Sequence, residues 1–294
     1  MYPILRTMIF VPGFRTKFLQ KAIDLKCDAL ILDLEDSVPC LYKEDARVNV
    51  QKYLNKRVYN QKIFIRINSI DSGFLSQDLD NILHESVYGL MPSMVRDELD
   101  IVYIDKLLTQ LEHDRGFPHN HFKLCPLIET VSALINAYEI AKSSKRIVGL
   151  VFGAEDYLTD LGGLHKKSGS SILMARSMLV MAARSLNLAV LDTPYLNVGD
   201  LDGFTKEAEF AREMGFTGQL ILHPSQIDVA MNVFTPSLEE VEEAEEIIKK
   251  IENSSKSGYG VTLLNGKIVG PPMEKRARDV LEKWNLIKDS QSWW

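Results

Sequence analysis

Cysteine is scarce in this chain of 294 residues, and the scarcity excludes several classes at once. Cys27, Cys40 and Cys125 are odd in number and far apart, so they build neither a disulfide framework nor a paired-cysteine metal site. That usage fits a reducing, cytoplasmic setting. Long apolar runs are missing too: no stretch of 18 residues could span a membrane. The opening Met1-Tyr2-Pro3-Ile4-Leu5-Arg6 moves directly into a strand-like run, with no n-region or h-region of a secretory signal. Clustered positive charge is absent. With a net charge of −6 and no basic stripe, nucleic acid is not an expected partner. Glycine is sparse where a dinucleotide fold would need it, since the turn after the first apolar run, Val11-Pro12-Gly13-Phe14-Arg15, has one glycine.

What is present is a regular alternation. Apolar runs occur at Thr7–Val11, Ala29–Leu34, Ile63–Ile67, Tyr88–Met91, Lys123–Ile128, Ile147–Phe152, Leu188–Leu191 and Gln219–Leu222. Helical patterns lie between them, among them Thr16–Leu25, Lys43–Leu54, Val131–Ser143 and Ser171–Leu186. Strands alternating with helices argue for a parallel sheet with helical crossovers. Eight such strands in about 220 residues suit a closed (β/α)8 barrel, with an open doubly wound sheet as the alternative. The barrel is expected over residues 1–235 and a C-terminal extension over 236–294. In that extension Pro236-Ser237-Leu238-Glu239 reads as a helix start, with Ser237 as N-cap and Glu240 three residues on. Glu239–Glu246 then supplies a solvated acidic face. That helix should stop near Asn253-Ser254-Ser255. Asn265-Gly266, between Tyr259–Leu264 and Lys267–Val269, predicts a β-hairpin, and Met273–Leu286 a last helix. Such a tail is too small for a core of its own, so it should pack on the barrel or on a neighbouring subunit.

The chemistry is concentrated where apolar runs end in carboxylates. Pro126-Leu127-Ile128-Glu129-Thr130 and Val151-Phe152-Gly153-Ala154-Glu155-Asp156-Tyr157 are the two clearest cases. Parallel folds bind ligands at the carboxyl ends of their strands. Glu129 and Asp156 aimed at one point would suit Mg2+, which takes one or two carboxylates and completes its shell with water and substrate. A third acidic strand end carries Asp33, Glu35 and Asp36; here Asp36-Ser37 could instead cap a helix, and Asp33 could point into the barrel and bind a neighbouring side chain. So many carboxylates on one rim require a cation or a hydrogen-bond web. Ile63-Phe64-Ile65-Arg66-Ile67-Asn68 places one arginine in an apolar strand. Buried, it needs an anion, either a substrate carboxylate or a protein one, and Asn68 beside it is a candidate orienting group. Lys17 and Lys21, near the end of the first strand, could meet the phosphates of a large substrate. His223, ending the eighth run, reads more simply as a structural residue.

These residues resemble a known family. Phe10-Val11-Pro12-Gly13, Asp33-Leu34-Glu35-Asp36-Ser37-Val38, Ile65-Arg66-Ile67-Asn68, Ile128-Glu129-Thr130, Gly153-Ala154-Glu155-Asp156-Tyr157 and Leu264-Asn265-Gly266-Lys267 follow, in order, the pattern of the citrate lyase β-subunit family of the HpcH/HpaI aldolase superfamily. The resemblance runs from about residue 5 to about 285 and includes the citryl-, malyl- and citramalyl-CoA lyases. It implies a (β/α)8 barrel, assembled as trimers or hexamers with the C-terminal segment against a neighbour. It implies Mg2+ on Glu129 and Asp156, and Arg66, with Glu129, touching substrate. The implied reaction makes or breaks the carbon–carbon bond of a 3-hydroxyacyl thioester, yielding a 2-keto acid and an acyl thioester of CoA or an acyl carrier protein. Two departures stand out. Many relatives carry an aspartate, thought to be the acid/base, after the Asn-Gly-Lys hairpin; here Gly270 occupies its place. Many also carry Pro-Lys at the end of the fourth strand; here it is Pro92-Ser93. These keep open a metal-dependent aldolase acting on a free keto acid without CoA, and a homologue that only binds keto acid or assembles with partners.

Overall fold

The computed structural model describes residues 2–55, 60–164, 166, 169–256 and 260–291. The chain divides into two compact units, 1–232 and 233–294.

The first unit is a parallel sheet of nine strands: β1 (Thr7–Pro12), β2 (Ala29–Asp33), β3 (Lys62–Ile67), β4 (Val87–Pro92), β5 (Lys123–Leu124), β6 (Leu127–Ile128), β7 (Gly149–Phe152), β8 (Ala189–Asp192) and β9 (Gly218–Ile221). The hydrogen-bonded order is β5-β4-β3-β2-β1-β9-β8-β7-β6. Its two ends, β5 and β6, are successive pieces of one segment, so the pairing curls round and returns to where it began. The run expected as a single fifth strand is therefore two. Pro126, with no N–H to give, stands where the segment changes partners. Just before it, the Cys125 N–H donates to Leu90 O of β4 at 2.9 Å; at Pro126 itself, the carbonyl accepts from Val151 N of β7 at 3.1 Å.

Helices follow the strands: α1 (Thr16–Ala22), α2 (Lys43–Leu54), α3 (Leu75–Ile82), α4 (Glu98–Arg115), α5 (Val131–Ile135), α6 (Ala137–Lys142), α7 (Ala154–Leu161), α8 (Leu173–Ser185), α9 (Leu201–Met214) and α10 (Ile227–Val233). The helix expected over Val131–Ser143 is broken at Asn136 into α5 and α6. No described helix is long and apolar enough to cross a membrane.

Alternation along the strands decides what the barrel interior contains. Met8, Ala29, Ile31, Phe64, Met91, Leu127, Val151, Leu191 and Leu220 form one buried apolar layer. Residues two further along each strand point the same way, toward the carboxyl ends. They are Phe10, Asp33, Arg66, Glu129, Gly153, Thr193 and Leu222. The floor of any site at this rim is thus dictated by the strand period.

The second unit holds α11 (Leu238–Lys256), the hairpin strands β10 (Thr262–Leu264) and β11 (Lys267–Val269), and α12 (Pro271–Gln291). Ser237 and Glu240 form a capping box: the Glu240 N–H donates to Ser237 Oγ at 3.1 Å, and the Ser237 N–H to Glu240 Oε2 at 2.7 Å. The helix runs one residue past the expected serines, to Lys256. Asn265 and Gly266 both take positive φ, 49° and 78°, as a two-residue hairpin turn requires. Tyr259, expected in its first strand, lies outside the described residues. The prolines 271 and 272 open α12 rather than preceding it, since a first-turn proline loses no helical bond. Ile251, Leu264 and Val269 pack together with Ile247 and Met273.

Candidate active site

A cavity of about 740 Å3 opens at the carboxyl ends of the strands. Its lining carries Asp33, Asp36, Arg66, Glu129, Glu155 and Asp156, together with apolar Val11, Phe18, Leu25, Leu196 and Leu222.

Arg66 and Asp33 are cross-strand neighbours in the β2–β3 register. The guanidinium Nε and Nη2 donate to the two carboxylate oxygens of Asp33 at 2.6 and 2.7 Å, a bidentate fork. Nη1 lies 3.0 Å from Glu35 Oε2 and 3.3 Å from Asp36 Oδ2, and the group stacks 4.9 Å over the Phe10 ring. Burial opposes charge on Asp33, but the charge and hydrogen bonds of Arg66 outweigh it and hold the carboxyl below the usual range. Those same carboxylates raise Arg66 despite its burial. Of the two anions the sequence allowed for Arg66, the structure supplies the protein one. Arg66 also lines the cavity, and its Nη1 contacts are the more exposed ones.

Glu129 follows β6 and is buried. Its Oε1 accepts from the Met94 N–H at 2.7 Å. Burial, then the charges of Glu35 and Asp156, push its pKa up to about 8 against the Met94 bond and Arg66. Asp156 sits exposed in the first turn of α7, where the helix dipole favours an anion. Its pKa is raised by burial and by Asp36 and Glu155, while Arg66 and hydrogen bonding with Glu129 act the other way. Burial also lifts Glu35 to about 7, with Asp36 adding to the rise and Arg66 opposing it. The crowding of these carboxylates works against their charged forms, with Arg66 opposing that trend.

Gly153 explains how Glu129 and α7 approach so closely. A β-carbon at Gly153 would lie 2.6 Å from Glu129 Cβ and 2.9 Å from its Oε2. Thr193, at the end of β8, accepts from the Ala154 N–H at 3.2 Å and fixes the start of α7.

Arg66, Glu129, Asp156 and Lys21 thus meet in one cavity. Two candidate residues do not. Asn68 lies behind the floor with its amide committed: its Oδ1 accepts from Lys43 at 2.6 Å, and its Nδ2 donates to Leu34 O at 3.0 Å and to Asp78 at 2.7 Å. Lys17, one turn before Lys21 on α1, is exposed and outside the cavity lining. Asp36-Ser37 caps no helix: Asp36 faces Arg66, and the Ser37 N–H donates to Asp33 Oδ2 at 3.1 Å. His223 is at the cavity edge but caps the Pro224–Gln226 turn, its Nδ1 accepting from the Ser225 N–H. Ser93 donates its hydroxyl to Ile67 O at 2.9 Å.

Residues 6–224 match the family model for HpcH/HpaI aldolase/citrate lyase. The chain belongs to this family. Among its curated members, citrate lyase subunit beta of Haemophilus influenzae is 33% identical over 279 residues, covering 95% of this chain and 96% of the relative. The mitochondrial citramalyl-CoA lyase of Rattus norvegicus is 30% identical over 296 residues, covering 97% and 87%. The solved structure of protein CitE from Mycobacterium tuberculosis, in complex with magnesium, acetoacetate and coenzyme A, superposes with a TM-score of 0.77 at 25% identity, covering 97% of this chain and all of that one. The family's barrel is the fold described above.

Proposed function

We propose that this family member is a Mg2+-dependent carbon–carbon lyase, cleaving or forming a 3-hydroxyacyl thioester to give a 2-keto acid and an acyl thioester. The observation that carries this reading is the convergence of Glu129, Asp156 and Arg66 on one cavity that apolar residues also line. The donor set fits Mg2+: Glu129 and Asp156 are hard oxygen ligands, and two carboxylates leave room for water and substrate.

Bound there, Mg2+ would supply Lewis acidity toward the keto oxygen of the substrate. Glu129 and Asp156 would hold it at the floor. Arg66 would receive the keto-acid carboxylate through Nη1, displacing Asp36 from its longer contact, while Asp33 keeps the fork oriented. The apolar lining would keep water from the acyl portion as the carbon–carbon electron pair moves onto the thioester. Lys21, at the edge, would face the anionic carrier. We place the protein in the cytoplasm, in keeping with its free cysteines, and assembled as a trimer or hexamer.

Gly270 favours a second reading, an aldolase on a free keto acid. Glycine has no proton to transfer, so the thioester step would need another group. The site is tested by calorimetry of pyruvate and oxaloacetate with and without Mg2+. Metal-dependent binding that is lost in Asp156→Ala supports it. Equal binding without metal refutes it.

A further inference from the structure

Met94 carries an anomaly that the proposed reaction does not use. Its φ is +52°, in the left-handed region that Cβ disfavours. The other non-glycine residues with positive φ among the described residues, Asn120, Asn187 and Asn265, are all asparagines, which tolerate it. The Met94 side chain is 43% exposed, so burial does not explain the conformation. The backbone does: this turn points the Met94 N–H at Glu129 Oε1, 2.7 Å away.

The surrounding loop is fastened on both sides. Before Met94, Ser93 donates to Ile67 O at 2.9 Å; after it, Thr130 donates to Val95 O at 3.3 Å and Ser132 to Arg96 O at 3.1 Å. The last two ties come from the segment that carries Glu129. The turn after β4 and the turn after β6 are therefore one assembly. On the opposite side of the carboxylate, the bare α-carbon of Gly153 leaves room for Oε2.

We propose that Met94 is a positioning residue: its left-handed backbone commits Glu129 Oε1 to an N–H donor and leaves Oε2 as the oxygen presented to a cation beside Asp156. The side chain is incidental, and the conformation is what matters. This rests on the Mg2+ reading, but the hydrogen bond itself does not, so two readouts separate them.

The test compares Met94→Gly and Met94→Asn, which accept positive φ, with Met94→Val, whose β-branch resists it. Hydrogen exchange of the residue-94 amide is measured in metal-free protein, and Mg2+ affinity by calorimetry. The expected result is a protected amide and an affinity within twofold of the parent for Gly and Asn. Val should show a fast-exchanging amide and an affinity at least tenfold weaker. The amide should also become fast-exchanging in Glu129→Ala. Unchanged protection and affinity in Val would overturn the proposal, as would equal losses in all three variants. Protection that follows this pattern while no protein, parent included, binds Mg2+ upholds the bond and overturns the cation role, along with the metal reading beneath it.

Discussion

Gly153→Ala isolates the geometry of the acidic floor with a single methyl group. The new Cβ would lie 2.6 Å from Glu129 Cβ and 2.9 Å from Oε2. Unstrained carbon contacts sit at about 3.5–4.0 Å, so something must move by roughly 1 Å. If the backbone absorbs the overlap, the cost is overpacking, about 1–3 kcal/mol of stability. If Glu129 swings away, stability is spared and the ligand geometry is lost. At about 1.4 kcal/mol per tenfold, the same strain then appears as a fall of about 10- to 100-fold in Mg2+ affinity. Calorimetric titration of Mg2+ and thermal unfolding, run together, read both routes. Gly89→Ala in β4 is the control. Its Cβ would meet Lys123 O at 2.7 Å and the Phe64 ring at 2.9 Å, a comparable clash in the barrel wall. It should cost stability and leave Mg2+ affinity within twofold. Parental affinity and melting temperature in Gly153→Ala would rule out this close approach of Glu129 and Gly153, and an equal loss of affinity in both variants would rule out a local effect on the carboxylate.

Asp156→Asn should abolish the heat of Mg2+ binding without lowering the melting temperature, because the carboxylate it removes is crowded by Asp36 and Glu155; retained affinity would sink the metal assignment. Arg66→Lys trades a planar fork for a point charge and should weaken keto-acid binding at least tenfold in a folded protein, as read by calorimetry and circular dichroism. If it instead mainly unfolds the chain, the Asp33 pair is its whole purpose. Arg66→Ala, which strands buried Asp33, should cost about 3–5 kcal/mol in urea unfolding. Far from the site, burial opposes charge on Glu112, but Arg146 hydrogen bonds at 2.5 and 2.7 Å hold it below its ordinary 4.5. A lowered carboxyl stabilises the fold above its unfolded pKa, and that contribution is lost as pH falls. Melting temperature should thus drop less steeply below pH 4.5 in Glu112→Gln than in the parent; parallel curves would contradict this.

The parts of the site that sequence made legible are those governed by strand period and strand ends. Glu129 and Asp156 each follow an apolar run, and Asp33 and Arg66 continue the inward alternation of Ile31 and Phe64. Such patterns survive folding because a buried face admits no other register. Asn68 and Lys17 were less legible because adjacency in sequence says little about direction. Asn68 is the outward neighbour of an inward arginine at the strand's end, so Lys43, Leu34 and Asp78 claim it. The counter-ion of Arg66 required the pairing of β2 with β3, which no local pattern states. Asp36-Ser37 had the composition of a cap, but no helix begins there. The strand break at Pro126 was visible as a proline and could have been read as one. Met94 carried no signal at all, since Pro92-Ser93-Met94 contains none of the residues that favour positive φ.

The most direct measurement is a turnover assay with the unmodified chain, Mg2+, and citryl-, malyl- and citramalyl-CoA, following keto acid released. Turnover of at least one thioester is expected, abolished by a chelator, restored by Mg2+ and absent in Glu129→Gln and Asp156→Asn. No release of keto acid from any of the three, in a preparation that binds Mg2+ and keto acid, would contradict the lyase reading.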